Sequence, residues 1–259
     1  MRMFFLGDIV RTGDLVPITG KEANHIRNAL RMKKGEVMVI MDGKGRLWEA
    51  IIEVLHHKEI KVRITKTLPP QPPSPIEIRL AQALIKSHSM DGLIQKVTEL
   101  GVSSISLFFS ERTSVKIKPE HLPRKIVRWR EIIKSACKQC GRATLPTLHP
   151  PLLFEELIKN APSEGTLKVL LWEDERKADL KNLLRSIEPL PHIVAVVGPE
   201  GGFTLREISL AREGGFHIVS LGKRVLRSET AAMSLISIIQ YEWGDLNLGY
   251  RIRDIVLSK

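Results

Sequence analysis

Two hydrophobic regimes follow one another along the chain. In the first, apolar positions come in short runs at residues 3–6, 37–41, 47–54 and 60–65, and the turn Asp42-Gly43-Lys44-Gly45 separates the middle two. Short strands joined by a Gly-rich hairpin predict a compact β unit, a small barrel. Between the first two runs, Thr19 and Glu22 have the spacing of a capping box, which predicts a short helix through Leu30 carrying Lys21, His25, Arg27 and Arg31. The second regime begins at Ile76, where strand-like runs at 77–84, 104–109, 168–172, 193–197 and 217–221 alternate with helical patterns near 89–100, 119–141, 151–160, 178–187, 204–213 and 230–243. That succession predicts an α/β domain with a mainly parallel sheet covered on both faces. Between the regimes lies Leu68-Pro69-Pro70-Gln71-Pro72-Pro73-Ser74-Pro75, which can hold neither a helix nor a central strand. The expected organisation is therefore a β-barrel over 1–68, a stiff linker over 69–75 and an α/β domain over 76–259.

The stretch from His192 to Trp243 carries the densest local signals. An apolar run over 193–197 breaks into Gly198-Pro199-Glu200-Gly201-Gly202, as a strand buried on both faces does when it ends in a loop. A helix follows at once, because Thr204 and Glu207 form a second capping box and Phe203 can staple against Ile208. A further run, 216–221, ends in a loop from Gly222 to Glu229, and a last helix is expected near Thr230. Ligands of open α/β sheets bind where loops leave the carboxyl ends of strands, so the paired loops form a candidate site. Neither GxGxxG nor GxxxxGK[ST] is present, and Glu200 sits mid-loop, which disfavours a nucleotide phosphate and a Rossmann-type oxidoreductase. A ligand carrying a sulfonium and an ammonium tolerates that carboxylate, and the glycines let main chain approach an adenosine.

Charge adds a partner class. Lys and Arg number 40 against 29 Asp and Glu, a net charge of +11 over 259 residues. Such an excess points to a polyanion, because neutralising phosphates releases counterions. The only cysteines, Cys137 and Cys140, lack a second pair or a His cluster, so core packing within the 119–141 helix is expected rather than zinc or redox chemistry. No long apolar span or signal peptide is visible, which leads us to expect a cytoplasmic, membrane-free protein. The last helix is apolar nearly all round, at Ala231, Ala232, Met233, Leu235, Ile236, Ile238, Ile239 and Trp243, and so needs cover on more than one side.

GPEGGF followed some twenty residues later by LGKRVLRSETAA resembles the paired signature of the ribosomal RNA uracil-N3 methyltransferase family, in the knotted SPOUT class of enzymes that use S-adenosylmethionine (SAM). HIRNALRMKKGEVMVIMDGKG is similar to the family's PUA-like RNA-binding barrel, and KSHSMDGLIQKVTELGV with ERTSV to its substrate-side segments. Where the family usually reads Glu-Gln-Ser before the arginine, this chain has Lys138-Gln139-Cys140-Gly141. The resemblance implies a PUA-like barrel followed by a SPOUT domain with a C-terminal trefoil knot, a homodimer, SAM as methyl donor leaving as S-adenosylhomocysteine, and no metal. It also implies methylation of N3 of a uridine in small-subunit ribosomal RNA, either naked or in the assembled subunit. The implied cofactor contacts are Leu171, Trp172, Glu173, Val197, Gly198, Pro199, Glu200, Gly201, Leu221, Gly222, Val225, Leu226, Thr230 and Ala231. Neutral uracil has no free lone pair at N3, so Arg227 is expected to stabilise charge on a carbonyl beside it, with Glu229 or Glu200 as proton acceptor. Lys21, Arg27, Arg31, Lys86, Arg112 and Arg142 are expected to meet RNA phosphates. The alternatives are a non-catalytic RNA-binding protein and a SPOUT enzyme acting on another RNA nucleotide.

Overall fold

A computed structural model describes residues 2–6, 10–56 and 59–246. Their contacts divide the described residues into two compact units, one of residues up to 73 together with 134–145, the other of 74–133 together with 146–246.

The first unit is built on a five-stranded sheet. Its strands are β1 (Met3–Phe5), β2 (Leu15–Ile18), β3 (Val37–Met41), β4 (Leu47–Leu55) and β5 (Ile60–Leu68), in the order β1-β3-β4-β5-β2. Only β1 and β3 run parallel; the other neighbours are antiparallel, and β4 and β5 keep register through two irregularities that bend the sheet. Alternation sorts the strand residues to two sides. Met38, Ile40, Ala50, Ile52, Val62 and Ile64 join Phe4 and Ile26 in one core, whereas Val39, Met41, Leu47 and Leu68 pack with Ala143. Sequence patterning missed β2, where Pro17 sits at the end of the sheet order and so costs no central ladder bond. The predicted capping box fails: Thr19 makes no side-chain cap, and Glu22 accepts instead from Lys138 Nζ at 2.7 Å. The helix itself is α1 (Gly20–Asn24), and it continues to Ala29 as a wider π turn rather than as regular helix.

The second unit is an α/β domain. It contains β6 (Glu77–Ala83), α2 (Ser87–Glu99), β7 (Ser104–Phe109), most of α3 (Leu122–Cys140), β8 (Thr147–Leu153), α4 (Phe154–Lys159), β9 (Thr166–Leu171), α5 (Leu180–Ser186), β10 (His192–Val197), α6 (Leu205–Glu213), β11 (His217–Val219) and α7 (Ser228–Glu242). All six strands are parallel, in the order β11-β9-β10-β6-β7-β8. The central strand β10 is buried from Ile193 to Val197, which explains why it reads as a continuous apolar run; its neighbour β6 is buried from Leu80 to Ala83. Several boundaries differ from expectation by one to three residues, as at α2, β9 and α5, and four of the differences have local features. Pro150 and Pro151 lie in the edge strand β8, so the helix expected from 151 starts only at Phe154. The 119–141 helix opens with a 3₁₀ turn at Pro119–His121 before α3 proper. β11 stops at Val219, and α7 starts at Ser228, two residues before the predicted Thr230. Cys137 is buried in the core as expected, where burial pushes its thiol up to about 12, but Cys140 is exposed.

Helix α7 packs on α2 and β10. Ala232, Leu235, Ile236, Ile239 and Gln240 are buried. Met233 and Ile238 are half-covered, and Tyr241 is 65% exposed. Gln240 fixes the far end of α7, donating to Leu100 O at 3.1 Å and accepting from Asp245 N at 3.2 Å. No helix among the described residues is long and apolar enough to cross a membrane.

Candidate active site

Loops leaving the carboxyl ends of β9, β10 and β11 converge on one cavity of about 460 Å³. Its walls are Leu171–Glu173 after β9, Val197–Glu200 with Gly202 and Phe203 after β10, and Ser220–Gly222 with Arg224–Glu229 after β11. Lys86 and Ser89, from the start of α2, complete the rim, and Ala231 closes the side of α7.

The β10 loop takes its shape from two residues. Gly202 has φ +68°, which favours glycine where the β9 and β10 loops meet, and a Cβ there would displace the exposed Glu173 carboxylate, whose Oε1 lies 2.0 Å away. Glu207 is 2% exposed and fully used. One oxygen accepts from Thr204 N at 2.9 Å as the capping box predicts, with Thr204 Oγ1 accepting from Glu207 N at 3.2 Å. The other oxygen accepts from Glu111 N at 3.0 Å and so draws in the loop that follows β7. That loop is held twice more, by Arg112 Nη1 donating to Gly201 O at 3.2 Å and by Arg206 pairing with Glu111 at 2.6 Å. The hydrogen bond from Arg206 holds the Glu111 carboxyl below its ordinary range.

A buried relay fixes the opposite wall. Ser228 Oγ lies 2.5 Å from Gly198 O and 2.9 Å from Gln82 Nε2. A carbonyl can only accept, so the Ser228 hydroxyl donates to Gly198 and must accept from the Gln82 amide; this orders the proton of each group. Gln82 is fully buried and its Oε1 has no partner among the described residues. The relay ties the first turn of α7 to the β10 loop across the central strand. Arg227, the N-cap of α7, is thereby presented at the rim.

Three carboxylates (Glu173, Glu200, Glu229) and three cations (Lys86, Arg224, Arg227) share the lining with apolar and main-chain surface. Glu200 Oε1 accepts from Lys86 N at 3.2 Å, and Glu229 Oε1 from Ser89 Oγ at 3.4 Å. The size lies within the range of about 300–1,000 Å³ usual for small-molecule sites. A zwitterionic adenosyl ligand fits this mixture: positive groups find carboxylates, a carboxylate finds a cation, and an adenine finds Leu171, Val197, Leu221 and Leu226. Among the described residues no three His, Cys, Asp or Glu side chains are grouped to hold a metal ion.

Comparison with known proteins decides the family. The RNA methyltransferase domain model matches residues 72–240, and the RNA methyltransferase PUA domain matches 18–65. Ribosomal RNA small subunit methyltransferase E of Synechocystis is 34% identical over 216 residues, 83% of this chain and 69% of that protein. The chain belongs to this family. A crystal structure of the family's member from Neisseria gonorrhoeae, bound to S-adenosyl methionine, is 34% identical and has a TM-score of 0.87, covering 95% of this chain and 100% of that one. A Legionella pneumophila structure in complex with the bound cofactor SAM is 35% identical, also with a TM-score of 0.87, covering 94% and 98% of the two chains. These relatives give the second unit its SPOUT assignment and the first its PUA-like one.

Of the expected cofactor contacts, Leu171, Trp172, Glu173, Val197, Gly198, Pro199, Glu200, Leu221, Gly222, Val225, Leu226 and Ala231 line the cavity; Gly201 and Thr230 do not. Gly201 faces away: a Cβ there would sit 3.1 Å from Arg112, so bulk at 201 presses on the β7 loop rather than on a ligand. Thr230 points outward from the first turn of α7 and is exposed. Arg227, Glu229 and Glu200, the expected catalytic groups, are all on the lining. Sequence reasoning missed Ser89, Gly202, Phe203, Ser220 and Ser228 there, while Arg224 falls within the loop from Leu221 to Leu226 expected to meet the cofactor. Gly202, Phe203 and Ser228 lie inside the two motifs, and Ser89 lies in the KSHSMDG segment.

The expected RNA contacts divide between the units. Lys86 lines the cavity, and Arg112 is engaged by Gly201 O. Lys21, Arg27, Arg31 and Arg142 belong to the first unit. There Arg27 donates to His56 O at 2.9 Å, and Arg31 is exposed, with φ +48°.

Proposed function

We propose that this chain uses SAM to methylate N3 of a uridine in small-subunit ribosomal RNA, working in the cytoplasm as a homodimer with a knotted SPOUT domain. The observation that carries the reading is the single cavity that the GPEGGF and RSET loops enclose, with Arg227 and two carboxylates at its rim. The Synechocystis and Neisseria relatives are ribosomal RNA small subunit methyltransferases, and the Neisseria and Legionella structures hold SAM, which supports the reading. The half-covered Met233 and Ile238 and the exposed Tyr241 supply a surface on α7 for a second copy.

Leu171, Trp172 and Glu173 with the β10 and β11 loops would hold the donor. Bound there, SAM supplies an electrophilic methyl on a sulfonium and leaves as S-adenosylhomocysteine. Arg227 donates to a uracil carbonyl beside N3 and stabilises the charge that N3 deprotonation puts on the ring. Glu229 takes that proton, with Glu200 as the alternative acceptor, and the freed N3 lone pair forms the bond to the methyl carbon. Rigid walls contribute by alignment, an effect that can reach about 7 kcal/mol or more. The Gln82–Ser228–Gly198 relay and the Glu207 clasp supply that rigidity.

Incubation with methyl-labelled SAM and small-subunit ribosomal RNA, naked or assembled, followed by nucleoside mass spectrometry, tests the reading. It predicts N3-methyluridine at one position. A label on another nucleotide would keep the enzyme and discard the N3 assignment; no incorporation into either substrate would discard both.

A further inference from the structure

We propose that the segment from Lys116 through the first half of α3 is a phosphate-binding surface, which seats the RNA backbone flanking the target nucleotide beside the cavity. The inference rests on the methyltransferase reading above and adds to it a second RNA contact, within the catalytic unit itself.

Charge is concentrated here. Residues 111–133 hold seven Lys or Arg against three Glu, so under a tenth of the chain carries a net +4 of its +11. Much of that charge is uncompensated: Lys116, Lys118, Arg124 and Arg130 are exposed, and among the described residues none has a carboxylate partner. The opposite holds where α3 meets α2. Arg128 Nη2 and Trp129 Nε1 both donate to Asp91, at 2.7 and 3.1 Å, and Trp129 is buried. Those bonds fix the helix on its neighbour, so Arg124 and Arg130 stand on a rigid support, while Lys116 and Lys118 lie in the segment that leads into it.

Position relates this surface to the chemistry. Lys125 Nζ reaches Ser87 Oγ at 3.1 Å, and Ser87 follows Lys86, which lines the cavity. The basic face therefore begins one residue from the rim. Its composition selects the partner. Val127 is the one large apolar side chain of the outward face that is well exposed, so there is no apolar row to enter a lipid surface or a protein groove. Unpaired, separated cations without such a row suit a phosphodiester backbone, which they position without reading sequence.

The test is a triple variant, Lys116→Ala, Lys118→Ala and Arg124→Ala, in the full chain. Binding of purified small-subunit ribosomal RNA is measured from about 50 to 200 mM salt, a range over which phosphate contacts weigh heavily. Each lost contact lowers the slope of log affinity against log salt by roughly 0.7–0.9, so three lower it by about 2–3, with roughly a hundredfold loss of affinity at about 0.1 M salt. Calorimetric SAM affinity and melting temperature stay at wild-type values, and the charge-retaining variant Lys116→Arg, Lys118→Arg, Arg124→Lys keeps the wild-type slope. A triple-alanine slope equal to wild type, in a chain that still binds SAM, overturns the proposal while leaving the enzyme reading intact. If the wild-type chain itself neither binds nor methylates the RNA, both fall.

Discussion

Substituting Ser228 by alanine probes the relay that joins the two walls of the cavity. The change removes one hydroxyl, which takes the side-chain donor from Gly198 O, 2.5 Å away, and one of two acceptors from the Gln82 amide, 2.9 Å away, which keeps its bond to Ala83 O at 3.1 Å. Both residues are buried, Gln82 completely, so water cannot readily replace the hydroxyl. Leaving a buried polar group unsatisfied costs about 1–3 kcal/mol, and the loss at Gly198 O with the partial loss at Gln82 gives roughly 3 kcal/mol as an upper figure. For a unit of this size, about 2–4 °C per kcal/mol converts that to a fall in melting temperature of roughly 6–12 °C. The β10 loop is then no longer pinned to α7 and must be ordered by the ligand. An ordering cost of about 1.4 kcal/mol corresponds to tenfold weaker SAM binding. Scanning calorimetry and isothermal titration read the two effects. Gln82→Met breaks the same relay from its other end, so the double variant should be less damaged than the sum of the singles, with a coupling of about 0.5–3 kcal/mol. Zero coupling, or an unchanged melting temperature and affinity in Ser228→Ala, would refute the relay as a support of the site.

Arg227→Ala should retain SAM affinity and lose most turnover, by about 10²–10³-fold if Arg227 stabilises developing charge; wild-type turnover would remove it from the mechanism. Gly202→Ala should lower stability by roughly 1–3 kcal/mol, because the positive φ is strained, and should weaken SAM binding, because the added Cβ pushes the Glu173 carboxylate from its place on the lining; unaltered calorimetry would contradict that geometry. The hydrogen bond from Arg206 lowers the folded-state pKa of Glu111, so its stabilisation is fully present above the ordinary carboxylate value of 4.5 and is lost as pH falls through the lower folded value. Melting curves should therefore show a shallower decline below about pH 4.5 for Glu111→Gln than for wild type, and identical acid limbs would discard the Arg206 clasp as a contributor.

The parallel sheet was legible because its inner strands are largely buried: 193–197 is apolar throughout, and in 104–109 only Ser104 and Ser106 interrupt the apolar run. The strands that escaped notice, β2 and β8, contain prolines, which sequence rules set against strands but which edge positions tolerate. At the site, loop chemistry was readable where it is local: Thr204 and Glu207 are three residues apart and cap as their spacing predicts. The same spacing misled at Thr19, since Glu22 is claimed by Lys138, 116 residues away. Gln82 and Ser228 are separated by 146 residues, and no periodicity links a buried glutamine in one strand to a serine that opens the last helix. Long-range polar partnerships are set by tertiary packing, and they are the part that coordinates had to supply.

A crystal structure of the chain grown with SAM tests the central claim most directly. The account predicts adenosyl density enclosed by Leu171–Glu173, the β10 loop and the β11 loop, with its methyl open toward Arg227 and Glu229. Density for the ligand elsewhere on the chain, or that cavity left empty under conditions where calorimetry records binding, would contradict it.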